Sequence, residues 1–305
     1  MLWFFAALLG YFLLALVFVL DKLILTKSLG RPVVYTFYST IFMFGALLAW
    51  PFGVEFLDEA KHWVAALISG LGFGFGMWTM FVAVKQGEAS HINPFIGAMI
   101  TMVTYIFSSV FLAETLSTRQ LWGMVILLFA SVLLSLEKTS SKKVFHKGFL
   151  WAILAGVLFA ASHVSAKYLY ELYPFLTGFV WTRATTGIVG LVCLLYPSVR
   201  RSFRAKNSKK ELPKAFGKRH AVPIVLSNKV LSVVGVVLIQ WAIALGSVTL
   251  VNAMSGLQYV LMFILILLLS KFAPKVLKEY FTKKELAMQT IAILLVLVGS
   301  AMFVW

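Results

Sequence analysis

A single cysteine, Cys193, leaves no partner for a disulfide within the chain and no basis for a cysteine-bound metal cluster. Lying in an apolar run, it reads as a small packing residue. Acidic residues are scarce, with 11 Asp and Glu against 27 Lys and Arg. They are scattered, and with the five histidines they form no cluster of the kind that hydrolysis, group transfer or metal binding requires. No Gly-x-x-x-x-Gly-Lys-Ser/Thr occurs, so ATP is not the direct energy source, and no cofactor-binding pattern is read. The opening Met1-Leu2-Trp3-Phe4 runs straight into apolar residues, without a basic leader region or a small-residue cleavage site. The first segment is therefore expected to be a retained helix. Charged residues of both signs make up only 12% of the chain, and no stretch is polar enough for a soluble domain.

What the chain has is apolar length. Hydrophobic residues make up 61% of its 305 residues, and mean hydropathy is +0.94. A helix crossing a bilayer needs about 20 mostly apolar residues. Ten stretches qualify, at 2–20, 33–53, 63–84, 91–112, 119–136, 148–169, 173–196, 222–245, 248–270 and 285–305. The fold expected is an all-α membrane protein of ten transmembrane helices. The third stretch carries Gly70, Gly72, Gly74 and Gly76, a pattern that either lets neighbouring backbones approach closely or makes a flexible, gating helix.

The net charge of +16 could suggest nucleic acid, but the bases gather at helix ends, where they meet anionic lipid headgroups. Of the 27 Lys and Arg, only Lys61, Arg119 and Lys167 fall in even-numbered connections or at the span ends beside them, and only Arg183 and Lys229 fall in span interiors. The rest lie in odd-numbered connections, nine of them in the seventh. The positive-inside rule then places odd connections in the cytoplasm and both termini outside it. The expected location is the inner cell membrane, crossed many times, with the lipid bilayer as a partner and no nucleic acid.

Two halves resemble each other in order. Gly87-Glu-Ala-Ser-His-Ile-Asn93 pairs with Gly246-Ser-Val-Thr-Leu-Val-Asn252, and at the same offset Ala83 pairs with Ala242 and Gly76 with Gly235. Leu112-Ala-Glu114 pairs with Leu277-Lys-Glu279 after a six-residue insertion, and Lys22 with Lys167. This divides the chain into a first five-helix repeat at 1–137, a basic linker at 138–147 and a second repeat at 148–305. Because five is odd, the second copy must insert upside down. Inverted repeats of this kind hold transport substrates near the membrane midplane.

These paired segments carry a family signature. Ala83-Val-Lys-Gln-Gly87-Glu-Ala-Ser90, followed by a span and then Phe111-Leu-Ala-Glu114-Thr-Leu-Ser-Thr-Arg-Gln120-Leu-Trp-Gly123, resembles the EamA repeat of the drug/metabolite transporter superfamily. Trp181-Thr-Arg183 resembles the arginine often found in the second helix of a repeat. The resemblance implies a secondary transporter whose cavity lies among helices one, three, four, six, eight and nine. The family usually has a proline where Thr101 stands; here Pro94 sits earlier in the span. Its usual topology places both termini in the cytoplasm, opposite to the charge distribution read above.

Within the spans, Arg183 is the sharpest candidate. A charge at mid-membrane costs at least about 2.5–3.5 kcal/mol, so such a residue faces protein or a wet cavity. It reads either as a structural arginine or as the contact for an anionic or carbonyl-bearing substrate. Lys229 either snorkels to the nearer interface or joins Arg183 in a basic cavity. Asn93 and Asn252 are equivalent positions that either bond across helices or line the cavity from each repeat. Gln240-Trp241 and Gln258-Tyr259 pair an amide with an aromatic, as suits an amphipathic metabolite. His163 reads as a packed hydrogen-bonding residue or a proton sensor. With no acid mid-span, proton antiport through a membrane carboxylate is not expected.

The function expected is alternating-access transport of a small polar metabolite, amino acid-like or anionic, by facilitated diffusion or exchange. The protein would act as a monomer or weak homodimer. A carrier of phosphorylated sugars or nucleotide sugars is the alternative, with Arg183 and Lys229 holding phosphate. An integral membrane lipid-modifying enzyme and a purely structural membrane protein fit the residues less well.

Overall fold

The protein is described by a computed structural model at residues 1–24, 31–86, 89–135, 147–204, 218–272 and 283–303. The expected linker at 138–147 falls almost wholly outside them, as does Glu279. Described secondary structure is helical throughout. Helices α1 (Leu2–Ile24), α2 (Pro32–Ile41), α3 (Ala60–Gln86), α4 (Ala89–Phe111) and α5 (Thr118–Ser135) form the first half. The second half holds α6 (Lys147–Leu172), α7 (Phe175–Cys193), α8 (Pro197–Arg204), α9 (Lys218–Leu245), α10 (Val248–Ala253), α11 (Ser255–Phe272) and α12 (Lys283–Ala301).

Eight described segments are long and apolar enough to cross a membrane. Helices α5 and α12 stand where the fifth and tenth spans are expected, but their apolar parts, Thr118–Leu133 and Leu286–Ala301, are shorter. Ten full-length spans are therefore not what the described residues contain. Two expected spans are also not single α-helices. The second tightens after Ile41 into a 3-10 helix over Phe42–Phe52, which contains Pro51 and ends at Gly53 with φ of 89°. Only glycine adopts that backbone without strain. The ninth divides at Met254 into α10 and α11, and Ser247 caps α10 by accepting from the backbone N–H of Leu250 at 2.9 Å.

The glycines of α3 explain how the bundle closes. Residues four apart lie on one helical face, so Gly70 and Gly74 share a face and Gly72 and Gly76 share the face opposite. A Cβ on Gly70 or Gly74 would strike Thr185 or Val189 of α7. A Cβ on Gly72 or Gly76 would strike Leu158 or Phe159 of α6. Helix α3 thus packs backbone-close between two neighbours, and Thr185 Oγ1 donates to the Ala66 carbonyl across that contact at 2.7 Å. The pair α1 and α9 meets in the same way, with Gly10 against Gly235.

At the N-terminal ends of α3 and α7, polar contacts complete the closure. Tyr173 accepts from the backbone N–H of Asp58 at 2.8 Å and donates to its carboxylate at 3.2 Å. His62 Nδ1 lies 2.7 Å from the same hydroxyl. Trp181 donates its indole N–H to the Glu55 carbonyl at 2.8 Å and packs edge-on against Trp63 and Trp50.

Candidate substrate site

Arg183 is the ninth of the 19 residues of α7, so about 13 Å of helix lies on either side of it. It is only 1% exposed, and Nε, Nη1 and Nη2 all lack a hydrogen-bond partner. The guanidinium lies instead against aromatic rings, with its carbon 4.5 Å from the centroid of Phe73 and 5.6 Å from that of Phe179. A ring face attracts a cation by about 0.5–2 kcal/mol, which offsets part of the desolvation. It leaves the five N–H donors of the guanidinium edge unpaired. That combination is unusual, because buried charges are ordinarily paired and hydrogen-bonded.

Around this cation the bundle assembles polar side chains from both halves. Its charge acts on His163 and Tyr170, both of α6. Tyr170 donates to Gln240 Oε1 of α9 at 2.9 Å. His163 donates from Nδ1 to Asn252 Oδ1 of α10 at 2.9 Å, and Asn252 Nδ2 donates to Thr104 Oγ1 of α4 at 3.1 Å. With Nδ1 as the donor, the neutral ring keeps Nε2 as an acceptor. His163, Gln240, Asn252 and Thr104 are all buried. The cluster therefore draws on α3, α4, α6, α7, α9 and α10, and the division of the ninth span comes two residues beyond Asn252.

The other expected residues are placed differently. Tyr259 is half-buried and donates to the backbone carbonyl of Asn93 at 2.8 Å, so Asn93 contributes its main chain to that contact. Gln258 is buried on α11, and Trp241 is half-buried against the main apolar core. Lys229 does not join Arg183 in an enclosed basic cavity. It is exposed on α9, where its long stem can carry the ammonium away from a buried site holding another cation. Sequence reasoning missed Phe73, Phe179, Tyr170 and Thr104. Phe73 alone had a usable signal, since it lies between the glycines that bring α3 closest to α7.

Comparison with known proteins agrees with this architecture. Residues 1–136 match the EamA-like transporter family. The resemblance drawn from the Leu-Ala-Glu114 turn and its flanking helices is thus to the EamA-like transporter family, over the first repeat. Among solved structures, one described only as a crystal structure of a protein is 19% identical to this chain. It aligns over 99% of this chain and 94% of its own, with a TM-score of 0.65, which shows a shared fold. No curated protein matches the sequence.

Proposed function

We propose that this multi-pass membrane protein is a secondary transporter of a small anionic or zwitterionic metabolite, amino acid-like in its polar groups. Arg183 holds the anionic group. The observation that carries this reading is the guanidinium itself, buried near the middle of α7 with no hydrogen-bond partner and lying over two aromatic rings. A carboxylate or similar group meeting its edge accepts two parallel N–H bonds, the geometry to which arginine is best suited. Tyr170, His163 and Gln240 supply further hydrogen-bonding atoms beside it.

Alternating access in a bundle built from two inverted five-helix repeats is the mechanism proposed. Helix pairing supports it. If α1 corresponds to α6 and α3 to α9, the close pair α3–α6 maps onto the close pair α1–α9. The pair α4–α6 likewise maps onto α1–α11, and α5–α12 maps onto itself. Gly76 and Gly235, equivalent in sequence, each sit at one of these contacts. The correspondence fails for α3–α7, since α2 and α9 do not pack comparably. Unequal packing of equivalent helices is what a transporter closed on one side displays. The cytoplasm lies on the side of the odd connections by charge.

Counterflow in proteoliposomes, with matched anionic, zwitterionic and cationic competitors, tests the substrate class. Carboxylates and zwitterions should compete. Tight competition by quaternary ammonium compounds, with none from carboxylates or phosphates, overturns it.

A further inference from the structure

A cavity of about 290 Å³ opens at the end of the bundle formed by even-numbered connections, away from Arg183. The α4–α5 connection, the C-terminal end of α6 and the α9–α10 junction bound it. Its polar lining includes Glu114, Lys167, Glu171, Gln120, Thr115 and Ser247. Charges of both signs therefore share one small space in a chain with few acids. Lys167 Nζ is held by the Ala244 carbonyl at 3.3 Å and lies 3.5 Å from Glu171, with its side chain 14% exposed. Glu114 accepts from Thr249 through Oε2 at 2.6 Å, while its Oε1 is buried without a partner. One carboxylate oxygen is thus anchored and the other is left unsatisfied at the edge of a cavity.

A line of polar side chains runs inward from this cavity. Thr249 bonds Ser108 at 2.9 Å. One turn deeper on the same two helices stand Asn252 and Thr104, bonded to each other, and Asn252 bonds His163. On α6, Lys167 lies one turn from His163 and three residues from Tyr170, so the cavity and the surroundings of Arg183 share one helix.

We propose that this cavity is an outer binding site for a zwitterion bearing an ammonium and a carboxylate, occupied before the substrate reaches Arg183. Glu114, with Glu171, takes the ammonium, and Lys167 takes the carboxylate. Two carboxylates against one ammonium favour an amine, and Arg183 alone favours an acid. Only a molecule with both groups is complementary to the two sites in turn, which selects amino acid-like compounds from the wider class proposed above. The inference rests on that reading, with Arg183 as the inner site.

The test uses the full-length protein in lipid nanodiscs. Its probes are neutral amino acids, each with its decarboxylated amine and its deaminated acid, measured by calorimetry. The wild-type protein should bind amino acids more tightly than either partial analogue. In Glu114→Gln, which keeps an acceptor for Thr249, amino acid affinity should fall about tenfold, as for loss of a charge-assisted bond. Affinity for the deaminated acid should change less than about twofold. Lys167→Gln should weaken amino acid and acid and spare the amine. Glu171→Gln, at the surface, should weaken amino acid and amine without disturbing the fold. In Arg183→Met, weaker amino acid binding should persist and remain sensitive to Glu114→Gln. Failure of every amino acid to bind the wild type overturns the proposal. So does unchanged binding in all three cavity variants, or equal loss for all three probe classes. The Arg183 reading fails separately, when Arg183→Met transports at the wild-type rate.

Discussion

Replacing Arg183 with methionine separates a structural arginine from one that waits for substrate. The side chain is 1% exposed, its three nitrogens are unbonded and its compensation comes from two ring faces. Each ring contact stabilises by about 0.5–2 kcal/mol. Each unsatisfied buried polar group costs about 1–3 kcal/mol. Three such nitrogens outweigh two rings, so the substrate-free protein carries the cation at a net cost. Methionine fills similar volume without charge, and replacing buried charges by apolar residues is commonly neutral or stabilising by about 1–4 kcal/mol. We therefore expect Arg183→Met to melt no lower than the wild type, and to melt several degrees higher at about 2 °C per kcal/mol. Transport should fall by about a hundredfold or more, because two charge-assisted bonds of about 1.5–3 kcal/mol each are lost. Thermal melting in detergent and uptake by proteoliposomes measure the two effects. Poor expression or a melting point lowered by several degrees would refute the reasoning, showing the guanidinium to be a strut of the fold. Full transport would refute it from the other side.

Other perturbations probe the fold and its orientation. Gly70→Val should prevent folding or destabilise by about 1–3 kcal/mol or more, because its Cβ would press on the backbone of Thr185 and Thr186. Gly45→Ala should be neutral, since nothing lies within 4 Å of the added atom; size-exclusion profiles compare the two. Asn252→Ala removes the acceptor of His163 and the donor to Thr104, so stability should fall by about 1–3 kcal/mol in thermal melts. A cysteine at Ser208, among the nine bases of the seventh connection, should resist an impermeant thiol reagent applied to intact cells. Labelling there would place the termini in the cytoplasm.

The apolar runs carried most of the helices because a bilayer span leaves a continuous signal of about 20 residues. The glycines of α3 also read correctly as packing positions, since a missing side chain has one main use inside lipid. The broken ninth span was illegible: Val248 to Phe272 has the mean hydropathy of one continuous span, and the break at Met254 has no proline to mark it. In the site, Arg183, His163, Asn252 and Gln240 stood out because polar atoms in a membrane helix demand partners. Thr104 did not, because a helical hydroxyl ordinarily bonds its own preceding turn. Phe73 and Phe179 looked like any of the 27 phenylalanines, and only the structure shows which two lie against the cation. Lys229 kept two readings because span membership does not reveal which way a side chain faces.

The glycine-lined contacts of α3 set which parts of the molecule can slide. At Gly70 and Gly72 the backbone of α3 meets that of α7 and α6, and at Gly74 and Gly76 it meets Val189 and Phe159, so the three helices are packed to travel together. Helices α1 and α9, joined at Gly10 and Gly235, form a second such unit. Each unit mixes helices from both halves of the chain, so motion between them is not motion of one repeat against the other. Helix α9 touches α6 and α7 only sparsely, through bonds such as Tyr170 to Gln240 and Lys167 to Ala244. Such bonds contribute about 1 kcal/mol each and re-form readily with water. The seam beside Arg183 is consequently short, joining a few exchangeable polar links to apolar side chains such as Val164, Phe179 and Ile239, which can slide past one another without a bond being broken.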